Sequence, residues 1–351
     1  MEFASDNTSG AAPEVLAAIN AANAGYASSY GSDQLMERVR SQIRDIFEAP
    51  EAAVYLVATG TAANALSISL FCPPWGAIYC HEEAHIEVDE CGAPEFYIGG
   101  GKTAPIDGAH GKISPADLKA RLALTPHGGV HHTQHGMLSL TNLTEAGTLY
   151  RPDEVAALTA IAKAERLPVH MDGARFTNAI VAAGCTAAQM TWRSGIDVLS
   201  FGGTKNGCMG VEAVVIFDPA KAWEFELRRK RGGHLFSKHR FLSAQMATYL
   251  DHGLWLKLAS HANRMATRLA QGIAALPGGS LMHPCEGNIV FASFPRALHK
   301  KATAAGGHYY LWPFDQTLEG PDNGLVSARF VCSWSTTEAD VDHFLSLLNA
   351  G

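Results

Sequence analysis

Apolar residues recur along this chain with two alternating periods. Between residues 33 and 48, Leu35, Val39, Ile43, Ile46 and Phe47 fall three and four apart, the spacing of one helical face, and Pro50 closes the run. Residues 53–58 are a β-branched and aromatic run, followed at once by TGTAANALSISL, which reads as a strand, a tight turn and a helix. Further strands are expected at 77–80, 137–140, 167–171, 197–201, 213–217 and 289–294, and helices at 13–23, 152–166 and 254–276. In the last, Leu258, Ala262, Met265, Leu269 and Ile273 form a single stripe. This alternation predicts an α/β fold: a mostly parallel, helix-covered sheet in a large domain over residues 1–250, and a smaller C-terminal α/β domain over residues 251–351.

Composition narrows the class of function. The 351 residues are 47% hydrophobic and carry a net charge of -7, from 27 basic and 34 acidic side chains. Such a chain can bury a substantial core, and its acidic surplus argues against a nucleic-acid or anionic-membrane partner. No long uncharged apolar run is present, and the first ten residues show no basic segment ahead of an apolar one, so a cytoplasmic protein is expected. Seven cysteines without a CxxC pair read as reduced, mostly buried thiols. His127, His131, His132 and His135 crowd one loop with no cysteine or carboxylate between them, so no metal site is expected there. Trp192, Trp223, Trp255, Trp312 and Trp334 read as core or interface residues.

Three places could carry chemistry. The turn Thr59, Gly60, Thr61 lies between a strand and a helix, where amides and a hydroxyl meet the positive end of the helix and suit a phosphate monoester. A threonine N-cap beside a permissive glycine fits the same residues. PVHMDGAR places Asp172 and Arg175 at the carboxyl end of a buried strand, as a crevice floor or as a structural ion pair. In IDVLSFGGTKNG, Thr204 and Lys205 follow a second strand inside a glycine-rich, uncharged stretch, which suits a partly desolvated lysine better than a surface one. A phosphate cup, a strand-end aspartate and a later strand-end lysine are together the needs of pyridoxal 5'-phosphate (PLP): an anchor, a partner for the ring nitrogen and a Schiff-base lysine.

The wording of these motifs resembles the low-specificity L-threonine aldolases, of the aspartate aminotransferase-like PLP fold (type I). The resemblance runs through SDN at residues 5–7, YGSD at 30–33, TGTAAN at 59–64, AHIEVDECGAPEF at 84–96, HMDGARFTNA at 170–179, SFGGTKNG at 200–207 and RFVCSW at 329–334. GGHLFSKHRFLSAQM, residues 232–246, is most similar to one bacterial branch. The resemblance implies a seven-stranded, mostly parallel sheet in the large domain. It further implies Lys205 as the Schiff-base lysine, Asp172 as the pyridinium partner and His85 as the ring stacked on the cofactor, with Gly60, Thr61, Arg175 and Thr204 completing the cofactor site. Ser5, Arg175 and Arg329 would hold the substrate carboxylate, and Tyr30 would reach in from an adjoining subunit of a homo-oligomer, a dimer of dimers. A basic residue from 228–231 of a neighbour would assist at the phosphate. Where many members carry an active-site histidine, this chain reads LTNLTEAG, so Thr144 or Glu145 takes that place, and water or His85 comes into question as the base. The implied reaction cleaves L-threonine, L-allo-threonine or phenylserine to glycine and an aldehyde; another PLP lyase acting by β-elimination, or a racemase, is the alternative.

Overall fold

The computed structural model describes residues 1–125 and 129–349. Seven strands make one sheet: β1 Ala53–Val57, β2 Gly76–His81, β3 Lys102–Ile106, β4 Gln134–Thr141, β5 Val169–Gly173, β6 Val198–Gly202 and β7 Glu212–Ile216, in the order β1-β7-β6-β5-β4-β2-β3. The strands from β3 to β6 run parallel to their neighbours, whereas β7 is antiparallel to both β6 and β1. Every residue of β1, β2, β5, β6 and β7 is buried, as expected of strands covered by helices on both faces. That is why their sequences are near-continuous apolar runs and easy to recognise. Strand β3 escaped notice because Lys102, Thr103 and Pro105 interrupt it, which an edge strand tolerates and a central one does not.

Helices α1 Pro13–Ala22 and α2 Gln34–Ile46 match the expected spans closely. In the latter, Asp33 caps the helix by accepting from the Met36 amide, and Met36, Val39 and Ile43 are buried. Helix α3, Gly60–Phe71, starts at the N-cap Thr59, and residues 62–70 are all buried, so small side chains let it lie deep against the sheet. Glycine is required where β5 and β6 end. A Cβ on Gly202 would stand 2.3 Å from the Ala174 carbonyl oxygen, and one on Gly173 would stand 2.7 Å from that of Ser200. These two glycines let the strand tips carrying Asp172 and Lys205 approach each other.

A second, antiparallel sheet comprises β8 Ser280–Leu281, β9 Ile289–Pro295, β10 Tyr310–Leu311 and β11 Leu325–Val331, in the order β10-β11-β9-β8. The helices Leu254–Ala274 and Glu338–Asn349 supply its core, where Phe294, Phe330 and Phe344 meet Leu269 and Ile273. Phe3 belongs to this core although it lies at the other end of the sequence. Its ring meets Phe344 edge-on at 5.3 Å, its amide donates to the His308 carbonyl, and its carbonyl accepts from the Val331 amide. The N-terminal segment is thereby pinned to the second sheet just before it reaches Ser5 and Asp6.

All seven cysteines are free thiols; Cys72, Cys80, Cys208 and Cys332 are buried, and Cys91 is exposed. Trp255 is core, whereas Trp223 stands 72% exposed. His135 lies on β4, bonded to the Tyr79 hydroxyl and the Thr125 carbonyl, and His127 lies outside the described residues. Among the described residues no three His, Cys, Asp or Glu side chains gather as they would around a metal ion, and no helix is long and apolar enough to cross a membrane.

Phe3→Ala should lower unfolding free energy by about 3–5 kcal/mol, the cost of truncating a fully buried phenyl ring. Denaturant unfolding monitored by circular dichroism checks this, and a loss under about 1 kcal/mol would contradict the pinned N-terminus.

Candidate active site

Strand β5 ends in Asp172, whose two oxygens each receive an N–H: Oδ2 from Asn64 Nδ2 at 2.7 Å and Oδ1 from the Ala174 amide at 2.9 Å. Asn64, on the buried side of α3, also donates to Glu90 Oε1 at 2.9 Å. The same Glu90 oxygen meets His85 Nδ1 at 2.8 Å. A carboxylate accepts only, so Nδ1 is the protonated nitrogen and Nε2 keeps a free lone pair, an assignment made from this geometry. The Glu90 bond raises the imidazole pKa above its ordinary value, against the opposing effect of burial. One unbroken chain of hydrogen bonds thus links His85 to Asp172.

The His85 amide donates to Glu145 Oε1 at 2.9 Å. Burial, then the neighbouring Asp172, pushes the Glu145 carboxyl up. Of Thr144 and Glu145, it is therefore Glu145 that faces this cluster. Thr144 turns away, its hydroxyl bonded to that of Thr148 at 2.8 Å.

The second group is cationic. Arg175 grips Asp6 with two bonds, Nε to Oδ2 at 2.7 Å and Nη2 to Oδ1 at 2.8 Å, and Asn288 supports the same carboxylate. Burial alone would raise the Asp6 pKa, but the Arg175 fork more than offsets it and holds the carboxyl below its ordinary value. Arg329 lies close enough to Arg175 to be affected by it; burial, then that like charge, lowers it to about 10. Among the described residues no carboxylate bonds to Arg329, whose Nη1 reaches only the Ala4 carbonyl at 3.4 Å. Lys205 is half-buried, its ammonium disfavoured by desolvation and by Arg175 and favoured by Asp6, Asp172 and Glu212.

Thr204 sits on the turn after β6, its hydroxyl receiving the Val211 amide. Gly60 opens α3, with nothing within 4 Å of where a Cβ would stand. Ser5 caps the short turn Asp6–Thr8 by accepting from the Asn7 amide. Tyr30 stands apart: 46% exposed, in a left-handed conformation, with Lys230 4.9 Å from its ring centre and, among the described residues, no bond to the Lys205 cluster. In the basic run, Arg229 is a buried structural residue, bonded to Glu226 and to the Leu56 carbonyl, rather than part of a solvated face. Asp6, Asn64 and Glu90 were passed over although each lies inside a quoted motif. Their signal was a polar residue in a stretch that folds into the interior.

These residues fit PLP. The N-terminal turn of α3 has amides with no partner inside the helix and open space before them, which suits a phosphate. Buried Asn64 Oδ1 has no partner, Asp172 is fixed, and Lys205 is a desolvated amine.

The chain matches the beta-eliminating lyase family over residues 2–295. A low specificity L-threonine aldolase of Pseudomonas sp. (strain NCIMB 10558) is 42% identical over 340 residues, covering 97% of this chain and 94% of that one. Among solved structures, the Leishmania major threonine aldolase superposes with a TM-score of 0.89 at 27% identity, covering 99% of this chain and 98% of that one. SPT solved with PLP, at 18% identity and a TM-score of 0.69 over 99% and 86% of the two chains, shares the fold. A matched family over most of the length, a relative alike from end to end, and a desolvated lysine near a fixed aspartate agree: the chain belongs to the PLP-dependent beta-eliminating lyase family, alongside the low specificity L-threonine aldolases.

Proposed function

We propose that this chain, loaded with PLP, is a carbon–carbon lyase that cleaves L-threonine, L-allo-threonine and related β-hydroxy-α-amino acids to glycine and an aldehyde. The observation that carries this reading is the half-buried cationic cluster of Arg175, Arg329 and Lys205, in which Asp6 is bonded to Arg175 and, among the described residues, no carboxylate is bonded to Arg329. An α-amino acid brings a carboxylate for Arg329 and an amine in one molecule.

The cofactor, when bound, supplies an electron-withdrawing ring that accepts the electron pair of the breaking Cα–Cβ bond. Gly60 and Thr61 would hold its phosphate, with Thr204 alongside, Asp172 would partner its ring nitrogen and His85 would stack on its ring. Asp6 occupies Nε and Nη2 of Arg175, which leaves Nη1, together with Arg329 and the Ser5 hydroxyl, for the substrate carboxylate. Two guanidinium groups fix that carboxylate in orientation as well as position, and so align the scissile bond. His85 takes the β-hydroxyl proton on Nε2, since Glu90 fixes the proton on Nδ1. Glu145 anchors the His85 backbone, and the Lys205 amine handles the proton at Cα.

The same reading includes the domain division at 250/251, a homotetramer built as a dimer of dimers and a cytoplasmic location. The exposure of Tyr30, away from the Lys205 cluster of its own chain, supports the assembly.

With L-threonine, glycine and acetaldehyde should form in equal amounts; 2-oxobutanoate and ammonia would instead mark a β-eliminating enzyme, and D-allo-threonine alone a racemase. Asp6→Asn, which leaves Arg175 half-partnered in the interior, should cost about 3 kcal/mol of stability at neutral pH. A carboxyl whose folded pKa is lowered stabilises above its unfolded value and loses that contribution as pH falls through the folded one. The gap between wild type and variant in denaturant unfolding should stay constant from pH 7 to about 5 and close below about 4. A gap that widens on acidification would contradict the pairing.

A further inference from the structure

Glu212 opens β7, opposite Gly202 of β6 and Val57 of β1, and is buried on a strand whose other residues are Ala213, Val214, Val215 and Ile216. A carboxyl in such a place is costly unless it is bonded or used. Its Oε2 accepts the Gly203 amide at 2.7 Å. Gly203 stands two residues ahead of Lys205. Burial lifts the carboxyl to about 7, with Lys205 among the groups that restrain it. In return, burial and Arg175 work against the proton on Lys205, while Asp6, Asp172 and Glu212 retain it. The same carboxyl also acts on Cys208 and Tyr249, both pushed up first by burial. The reaction outlined above makes no use of Glu212, yet Glu212 touches the backbone of the lysine turn directly.

We propose that Glu212 is a positioning residue for Lys205: its carboxylate ties down Gly203, two residues ahead of the lysine, and supplies a negative charge that holds the proton on the lysine nitrogen. The hairpin geometry explains how one group does both. Strands β6 and β7 are antiparallel, so the first residue of β7 lies beside the last of β6, and a side chain of glutamate length reaches past Gly202 to the turn. Nothing needs to move when the nitrogen gains or loses its proton, because the Gly203 amide keeps the carboxylate in place. The inference rests on Lys205 being the residue that bonds to PLP.

The test is a pH titration of the visible absorption band of the PLP-loaded protein for wild type, Glu212→Gln, Glu212→Asp and Lys205→Ala. Glutamine keeps an acceptor for the Gly203 amide but loses the charge. The midpoint of the band should fall by about one pH unit, the scale of a nearby opposite charge removed, and aspartate should restore it. A wild-type midpoint in Glu212→Gln overturns the inference, as do equal midpoint shifts in the Gln and Asp variants, which would mean distortion rather than charge. Should the glutamine variant not fold, infrared difference spectra of the other proteins decide. A buried carboxyl titrating near pH 7 in wild type should titrate higher in Lys205→Ala, and an unmoved midpoint overturns the coupling. A visible band retained in Lys205→Ala would overturn the reading of Lys205 itself. A band lost there, with the Glu212→Gln midpoint unchanged, would overturn the role of Glu212 alone.

Discussion

A guanidinium and a carboxylate locked together away from water, Arg175 on Asp6, hold three parts of the chain in register. Arg175 follows β5 of the large sheet. Asp6 sits on the N-terminal segment that Phe3 pins into the second core, and Asn288, just ahead of β9, donates to the same carboxylate. Burying such a pair costs solvation that only close, well-aligned bonds offset, and removing one partner leaves an uncompensated charge. The pair therefore stabilises one arrangement of the two sheets strongly and any other arrangement poorly. Arg329, from β11, is brought beside it without a carboxylate of its own. A substrate carboxylate would fill that place.

Around this pair the polar groups are ordered by single-donor logic. His170, two residues before Asp172 and on the same face of β5, lies between the hydroxyls of Ser139 and Ser200, and burial lowers its pKa to about 4, so it is neutral. Asp172 takes its hydrogen bonds from neutral groups, Asn64 and the Ala174 amide. The chain onward through Asn64 and Glu90 to His85 connects α3, residues 85–90 after β2, and β5, three parts that no backbone ladder joins. A change at any member would be felt at the others, because each has few partners and little water to replace them.

Much of this was legible in the amino-acid order. Fully buried strands leave long apolar runs, so β1, β5, β6 and β7 were located to within about two residues, and the glycines at 173 and 202 marked strand ends that pack closely. Lys205, Asp172 and the Gly60–Thr61 turn could be singled out only together, because each alone has a structural explanation and the three in one chain meet the needs of one cofactor. The second-sheet strands β8 and β10 have two residues each and no period to read. Asp6 was missed for another reason: its partner Arg175 lies 169 residues away. Local spacing carries no record of such pairings. Glu212 was legible in principle, as one acid at the head of an apolar strand, and only its reach to Gly203 gives it meaning.

The central claim is that the half-buried cationic cluster is completed by the substrate carboxylate. Arg329→Lys tests it most directly, since lysine keeps the charge and loses the planar fork that would grip a carboxylate at two points. Steady-state kinetics on L-threonine together with thermal melting should show kcat reduced and KM raised, with little change in melting temperature. Unchanged kcat and KM with a lowered melting temperature would make Arg329 a structural residue of the second sheet and contradict the account.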